Sequence, residues 1–210
     1  VELTGLGDEA AAVAAPDPVS VARLANGGCL VTSWERGPGA PGEVRDLAPD
    51  GGVRWRHTGL TQPCEADPLP DGRVLVCETR RRAPRPDGSP PLGRVLVLAR
   101  DGSTEVVRDG FGYPSDADRL PGGGFLVTDR VAGTVACFDA AGVRTRVLGP
   151  RGPGWRLDEP RDADVFPDGI LGIASADGRT GTGRFLLIDT LDRAIWSLDS
   201  AREPLEIDPR

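Results

Sequence analysis

Acidic residues recur in pairs along this chain, and each pair follows a proline at the same spacing. Acids stand two and four positions after three prolines: Glu65 and Asp67 after Pro63, Asp116 and Asp118 after Pro114, and Asp162 and Asp164 after Pro160. A fourth proline, Pro18, has Ser20 and Ala22 at these two positions. In an extended strand, residues two apart lie on the same side. The pattern predicts six carboxylates on one side of neighbouring strands, where they need cations, arginines or backbone N–H groups to stay ionised.

Three roles are open for these carboxylates. In the first, one acid of each pair accepts hydrogen bonds from backbone N–H groups of its own turn or of the neighbouring repeat, which is a structural role. In the second, Ser20, Glu65, Asp116 and Asp162 bind a divalent cation such as Ca²⁺, which takes roughly six to eight oxygen ligands. In the third, crowding raises the pKa of one carboxyl until it serves as a catalytic acid or base near neutral pH. The second and third roles can coexist.

The strands that must position these acids belong to an internal repeat. The intervals between Pro18, Pro63, Pro114 and Pro160 are 45, 51 and 46 residues, which is typical of stacked or radial units. After each acidic segment, a tight glycine turn leads into an apolar run, as in ANGGCLVTS and PGGGFLVTD. Each repeat divides into four short strands with DG-type turns between them.

Four-stranded antiparallel units at this period are typical of propeller blades. The sequence therefore predicts an all-β protein, a β-propeller of four blades with four antiparallel strands each. We expect a single domain over residues 1–210, with blades at about 19–59, 60–112, 113–157 and 158–210. The acidic segments form the innermost strands, and the ends of the chain are candidates for a further strand that closes the ring.

Composition excludes several classes of function. The net charge of −7 argues against nucleic acid or an anionic membrane as a partner. Without lysine there is no phosphate-binding GxxxxGK[ST] loop, so no nucleotide cofactor is expected. No stretch of 18 apolar residues occurs, and the N-terminal residues are acidic where a signal peptide is basic. These features predict a soluble cytoplasmic protein.

The four cysteines show no metal-binding spacing. Cys29, Cys77 and Cys137 lie in apolar strand segments and are expected to pack in the core. Cys64 differs because it stands next to the acidic pair of the second repeat. No CxxC pair is present, so neither a zinc site nor a disulfide framework is predicted.

The repeats resemble those of known proteins. The strings PSDADRLPGGGFLVTDRVAGTVACFDAAGVRTRVLG and EVRDLAPDGGVRWRHTG are similar to repeats of NHL-like, PQQ-like and arylsulfotransferase-like bacterial propellers. A four-bladed ring of this length also resembles the hemopexin domain, whose blades hold ions along the channel, although the aromatic-rich hemopexin signature is absent. The arylsulfotransferase resemblance implies a nucleophilic channel histidine, and His57, the only histidine, follows an outer strand instead.

Long, unequal loops are expected on one face of the propeller, where binding and catalysis usually occur. Candidates for substrate binding there are Arg161, which precedes Asp162, the aromatic residues Trp34, Tyr113 and Trp155, and Arg82 in the longest loop. Arginine pairs well with a carboxylate or phosphate, which would suit an anionic ligand. Alternatively, these arginines balance neighbouring acids on solvated loops.

Two functions remain open. The first is a small-molecule enzyme, a metal-assisted or carboxylate-assisted hydrolase, lyase or isomerase, with Glu65, Asp116, Asp162 and His57 as candidate catalytic residues. A resemblance to metal-dependent lactonase-type propellers, which place acids at the channel mouth, favours it. The second is a non-catalytic propeller that binds a ligand or a protein while its carboxylates are structural.

Overall fold

Short strands joined by turns make up this protein. The computed structural model describes residues 2–3, 9–11, 17–34, 41–79 and 92–200, and these contain no helix. Arg82 lies outside the described residues, as do its neighbours in the same loop. No helix long and apolar enough to cross a membrane occurs in the described part of the chain.

Four antiparallel sheets of four strands each follow one another along the chain. Sheet 1 contains β3 to β6, at Pro18–Arg23, Cys29–Trp34, Gly42–Leu47 and Val53–Leu60. Sheet 2 contains β7 to β10, at Pro63–Pro68, Val74–Glu78, Gly93–Leu98 and Thr104–Phe111. Sheet 3 contains β11 to β14, at Pro114–Arg119, Phe125–Asp129, Thr134–Phe138 and Arg144–Leu148. Sheet 4 contains β17 to β20, at Glu159–Val165, Leu171–Ala176, Gly183–Ile188 and Ala194–Ser200.

Two short strand pairs complete the described elements. They are β1 with β2, at Glu2–Leu3 and Glu9–Ala11, and β15 with β16, at Arg151–Gly152 and Trp155–Arg156. The prediction of an all-β chain with four antiparallel strands per repeat is confirmed.

Local chemistry explains the hairpins within each sheet. Between β7 and β8, Asp71 accepts the backbone N–H of Arg73 at 3.1 Å, and Gly72 adopts φ +85°, a conformation that suits glycine. Five other hairpins repeat this aspartate turn, at Asp50, Asp101, Asp139, Asp168 and Asp189, and Asn26 takes the same role between β3 and β4. The Pro-Asp-Gly and Asp-Gly signals therefore end strands for a physical reason.

The sheets stack face to face through three apolar clusters. Val76 and Leu96 of sheet 2 pack toward sheet 1, Val95 of sheet 2 packs toward sheet 3, and Ile173 of sheet 4 packs toward sheet 3. The proline-led strands β3, β7, β11 and β17 contact one another between consecutive sheets, so they form the inner edge of the assembly. This arrangement brings residues of different repeats to one place.

Among the described residues, consecutive sheets pack against each other from sheet 1 to sheet 4. No four-stranded sheet covers the other flank of sheet 1. No comparable packing joins sheets 4 and 1 among the described residues. Val21 of β3 is 69 % exposed, whereas its counterparts Ala66, Ala117 and Ala163 are at most 1 % exposed. Each of those alanines packs against the preceding four-stranded sheet, and no four-stranded sheet precedes Val21 among the described residues.

Candidate metal centre

Three carboxylates from three different sheets meet at the inner edge. Glu65, Asp116 and Asp162 place one oxygen each within 4.8 Å of one another. They come from β7, β11 and β17, and each is separated from the others by a whole repeat in sequence. The predicted convergence of these acids depends on the inner strands lying side by side, which the stacking of the sheets provides.

A β-bulge at the start of each inner strand directs the acids toward this place. The pairing register shifts between Pro63 and Glu65, and the same shift occurs in β3, β11 and β17. A bulge inserts one extra residue and re-aims the side chains next to it. The inserted residue and the following one both line the cavity in every repeat, as Val19 and Ser20, Cys64 and Glu65, Ser115 and Asp116, and Arg161 and Asp162.

The cavity has a volume of about 400 Å³, and its apolar and its acidic residues come from different sheets. Pro18, Val19 and Val21 supply an apolar wall from sheet 1, and the carboxylates lie on sheets 2 to 4. The side of the cavity that contains Ser20 therefore has no charged residue. The acidic pattern breaks at the first repeat, and this break gives the cavity a preferred orientation for any ligand.

Asp116 is the most constrained of the three acids. Its Oδ2 atom accepts hydrogen bonds from the Thr128 hydroxyl and from Ala163 N, both at 3.1 Å. Its Oδ1 atom is buried and receives no hydrogen bond from a described donor. Asp116 is also within hydrogen-bonding contact of Glu65. Two carboxyls can share a hydrogen bond only if one of them is protonated, so this pair requires a proton or a cation between its oxygens.

The electrostatics of the cluster agree with that geometry. Burial raises the pKa of Glu65 to about 8, the hydrogen bond with Asp116 opposes this, and the negative charges of nearby aspartates add to it. Burial and then the charge of Glu65 raise the pKa of Asp116 well above its usual range. Burial and the charges of Asp116 and Asp164 raise the pKa of Asp118 to about 10. A bound cation would reverse the effect of these charges, because it favours the ionised carboxylates.

Two acids of the inner strands, the second of one pair and the first of another, accept backbone N–H groups of the next sheet. Asp67 accepts the backbone N–H of Arg119, on the next sheet, at 3.0 Å. Asp116 makes the equivalent bond to Ala163. These bonds match the structural role considered for the acids from sequence. One carboxyl, that of Asp116, therefore has a structural contact and also belongs to the cluster.

Arg161 is the cationic side chain that lines this cavity. Its Nη2 lies 3.4 Å from Glu159, whose carboxylate is held mainly by Arg130 at 2.6 Å. Arg161 is inserted by the bulge next to Asp162 and lies at the edge of the acidic cluster. This position allows it to contact an anionic or carbonyl group that enters the cavity.

The remaining candidates from sequence lie elsewhere. His57 is on the outer strand of sheet 1, with Nε2 3.5 Å from the Thr104 hydroxyl, and it does not line the cavity. Partial burial lowers the pKa of His57, an effect that the charge of Glu78 partly offsets. Trp34 lines a separate cavity of about 110 Å³ beside Glu43 and two arginines.

Two of the aromatic residues predicted to bind substrate make packing contacts instead. Trp155 is buried between sheets 3 and 4 and donates its indole N–H to the backbone oxygen of Asp192 at 2.9 Å. Trp155 does not form part of an exposed loop surface, because it is only 6 % exposed and packs in the apolar cluster of sheets 3 and 4. Tyr113 is half-buried, with the Arg130 guanidinium 5.7 Å from the centre of its ring.

A second cavity, of about 480 Å³, lies beside sheet 4. Its charged groups are already paired, with Arg184 on Asp199 at 2.6 Å and Arg156 on Asp158. The pKa of Asp199 is lowered by its hydrogen bond to Arg184. Although this cavity is larger, two of its acids, Asp158 and Asp199, are already paired with arginines. The carboxyls with raised pKa values, Glu65 and Asp116, line the inner cavity instead.

Comparisons with known proteins identify the fold. No family model matches this sequence, and no curated protein sequence is similar to it. A protein of unknown function from Bacteroides caccae is 17 % identical, with a TM-score of 0.73 over 94 % of this chain and 73 % of its own. A gluconolactonase from Xanthomonas campestris is 17 % identical, with a TM-score of 0.57 over 90 % of this chain and 64 % of its own.

A streptogramin B lyase is 13 % identical, with a TM-score of 0.52 over 90 % of this chain and 71 % of its own. These likenesses support a β-propeller architecture. The chain spans about two thirds of the length of such structures.

Proposed function

We propose that this protein is a small-molecule hydrolase whose site is the carboxylate cavity, and that Glu65, Asp116 and Asp162 hold a divalent cation there. The observation that carries the proposal is the buried Asp116 Oδ1 atom, which receives no hydrogen bond from a described donor and lies in a cluster of three acids. A buried acceptor of this kind costs about 1–3 kcal/mol unless something satisfies it. A cation between the three carboxylates would do so.

The chemistry of the donors favours a hard cation. Carboxylate oxygens suit Ca²⁺, Mg²⁺ or Mn²⁺, and the hydroxyl of Ser20 and water can complete a flexible calcium shell. Ca²⁺ is our first choice because it accepts irregular oxygen shells, and these three acids come from three separate sheets. When bound, such a cation polarises a carbonyl oxygen and lowers the pKa of a coordinated water.

The residues that line the cavity would bind and orient the substrate. The apolar wall of Pro18, Val19 and Val21 would hold the hydrocarbon part of a substrate, and Arg161 would bind its carbonyl or carboxylate group. Glu65, whose pKa is raised to about 8, would keep a proton at neutral pH only in the cation-free cavity, and a bound cation would displace that proton and use the carboxylate as a ligand. A cyclic ester, a lactone, fits these requirements, and a gluconolactonase is among the proteins with a similar fold.

We assign the four sheets to four propeller blades of one domain, at about residues 19–59, 60–112, 113–157 and 158–210. The repeated inner-strand bonds between neighbouring sheets support this assignment. We also infer that the ligand is a small molecule, because the cavity between the inner strands has a volume of about 400 Å³.

The second candidate function is a non-catalytic propeller that binds a ligand or a protein. The bonds from Asp67 to Arg119 N and from Asp116 to Ala163 N favour it, because they give two of the acids a purely structural reason to be present.

Calorimetric titration with Ca²⁺, Mg²⁺ and Mn²⁺ separates the two functions. We expect the wild type to bind one cation, and Asp116→Asn and Asp162→Asn to lose binding while they keep the wild-type circular dichroism spectrum. Asp168→Asn is the matched control, because Asp168 caps an exposed turn. Hydrolysis of a set of lactones and aryl esters should follow the same order. If the wild type binds none of the three cations, the metal-assisted hydrolase is ruled out.

A further inference from the structure

Two thiols of neighbouring strands meet beside the carboxylate cavity. Cys64 is the residue inserted by the bulge of β7, and the next residue, Glu65, pairs with Cys77 of β8. The inserted Cys64 therefore lies opposite Cys77, and both cysteines pack in the apolar cluster between sheets 2 and 3. Neighbouring antiparallel strands can hold two cysteines at the Cβ separation of about 4 Å that a disulfide needs.

The two thiols differ in their access to solvent. Cys64 is half-buried, lines the cavity, and donates its thiol to the backbone oxygen of Gln62 at 3.7 Å. Cys77 is fully buried behind it. An oxidant in the cavity would therefore meet Cys64 first.

We propose that Cys64 and Cys77 form a reversible disulfide when the protein is exposed to a peroxide. The Cys64 sulfur attacks the peroxide, its S–H proton is lost, and the O–O bond breaks, which gives a sulfenic acid and one molecule of water. The Cys77 sulfur then attacks the sulfenic sulfur, an S–S bond forms, and the hydroxyl leaves as a second molecule of water. The two thiols lose two electrons in total, and the peroxide gains them.

The disulfide would act on the bulge that carries Glu65. Rotation of the Cys64 sulfur toward Cys77 breaks its contact with Gln62, and the new bond ties the inner strand to its neighbour at the point where the register shifts. The position of Glu65 is fixed by that bulge. Oxidation would therefore change the geometry of the cavity mouth without altering any carboxylate.

The remaining cysteines provide an internal control. Cys29 and Cys137 are also half-buried free thiols, but they belong to sheets 1 and 3, which do not pack against each other. Neither has the other as a neighbour. A random oxidation of accessible thiols would affect Cys29 and Cys137 as well as Cys64.

The test is peptide mapping of cation-free protein after treatment with hydrogen peroxide, with alkylation of the remaining thiols. We expect a Cys64–Cys77 linked peptide, two alkylated cysteines at positions 29 and 137, and recovery of all four thiols after reduction with dithiothreitol. The Cys64–Cys77 linked peptide should form to the same extent in Cys29→Ser and Cys137→Ser proteins, and Cys64→Ser should give none.

The wild-type map alone decides the question if a cysteine variant fails to fold. Oxidation of Cys64 to sulfinic acid without a link, or links that contain Cys29 or Cys137, would overturn the proposal. Because the experiment contains no cation and measures no activity, its result is independent of the proposed hydrolase function.

Discussion

The Asp116 carboxylate accepts the backbone N–H of Ala163 at 3.1 Å and thereby joins the inner strands of sheets 3 and 4. The same carboxyl belongs to the cluster with Glu65 and Asp162. A residue that fastens two sheets is held firmly, and a firmly held carboxylate is well suited to a site whose geometry must be fixed. The structural and chemical roles of this acid therefore support each other.

Substitutions at Asp116 should separate these two roles. Asp116→Asn keeps an oxygen for Ala163 N and Thr128 and offers an N–H to Glu65, so we expect near wild-type stability and at least about tenfold weaker cation binding. Asp116→Ala leaves two buried donors without their acceptor, so we expect a loss of about 1–3 kcal/mol in the free energy of unfolding. Urea denaturation and calorimetric titration measure the two effects. Equal loss of stability in both variants would contradict the separation.

The stability of the cation-free protein should fall as the pH rises from about 5 to about 8. The pKa values of Glu65 and Asp118 are raised to about 8 and about 10 in the folded state, and both lie near 4 in an unfolded chain. The folded state thus binds more protons in this range, and the free energy of unfolding decreases as these groups ionise. Acids with lowered pKa values, such as Asp189, lose their stabilising effect only below this range.

Urea denaturation at several pH values measures this dependence. Glu65→Gln should give a flatter curve, because a neutral amide does not titrate. A wild-type stability that rises between pH 5 and pH 8 would show that these carboxyls are not buried as described.

Cation binding near pH 6.5 should release protons. Glu65, whose pKa is raised to about 8, holds a proton there, burial raises the pKa of Asp116 as well, and a divalent cation must displace the Glu65 proton to reach the oxygens. Calorimetric titration in two buffers with different ionisation enthalpies should therefore give different apparent binding enthalpies. Identical enthalpies in both buffers would mean that the cation binds without displacing a proton.

Two valines near sheet 1 differ in burial, because one flank of this sheet is not covered by another four-stranded sheet among the described residues. Val21 is 69 % exposed and Val76 is fully buried between sheets 1 and 2. We expect Val76→Ala to lower the free energy of unfolding by about 2 kcal/mol, and Val21→Ala to change it by less than about 0.5 kcal/mol. Urea denaturation of both variants tests this. A large effect at Val21 would show that this flank is covered in solution.

Much of the fold could be predicted because its signals are local. The apolar strand segments, the DG-type turns and the position of the acids after each proline can all be read within one repeat. These signals correctly indicated four antiparallel strands in each repeat. The same local rule placed Glu65 and Asp67 on one side of a strand. The bulges were not predicted, because a single inserted residue such as Cys64 leaves no mark in a two-residue period.

The sequence by itself therefore determined the strands, their turns and the acids of each inner strand. Only the tertiary structure decided which acids meet, since Glu65, Asp116 and Asp162 are brought together by the stacking of whole sheets. The stacking also buried Trp155 and left Val21 exposed. These outcomes depend on contacts between distant parts of the chain, and hydrophobic burial between sheets, rather than local backbone preference, selects them.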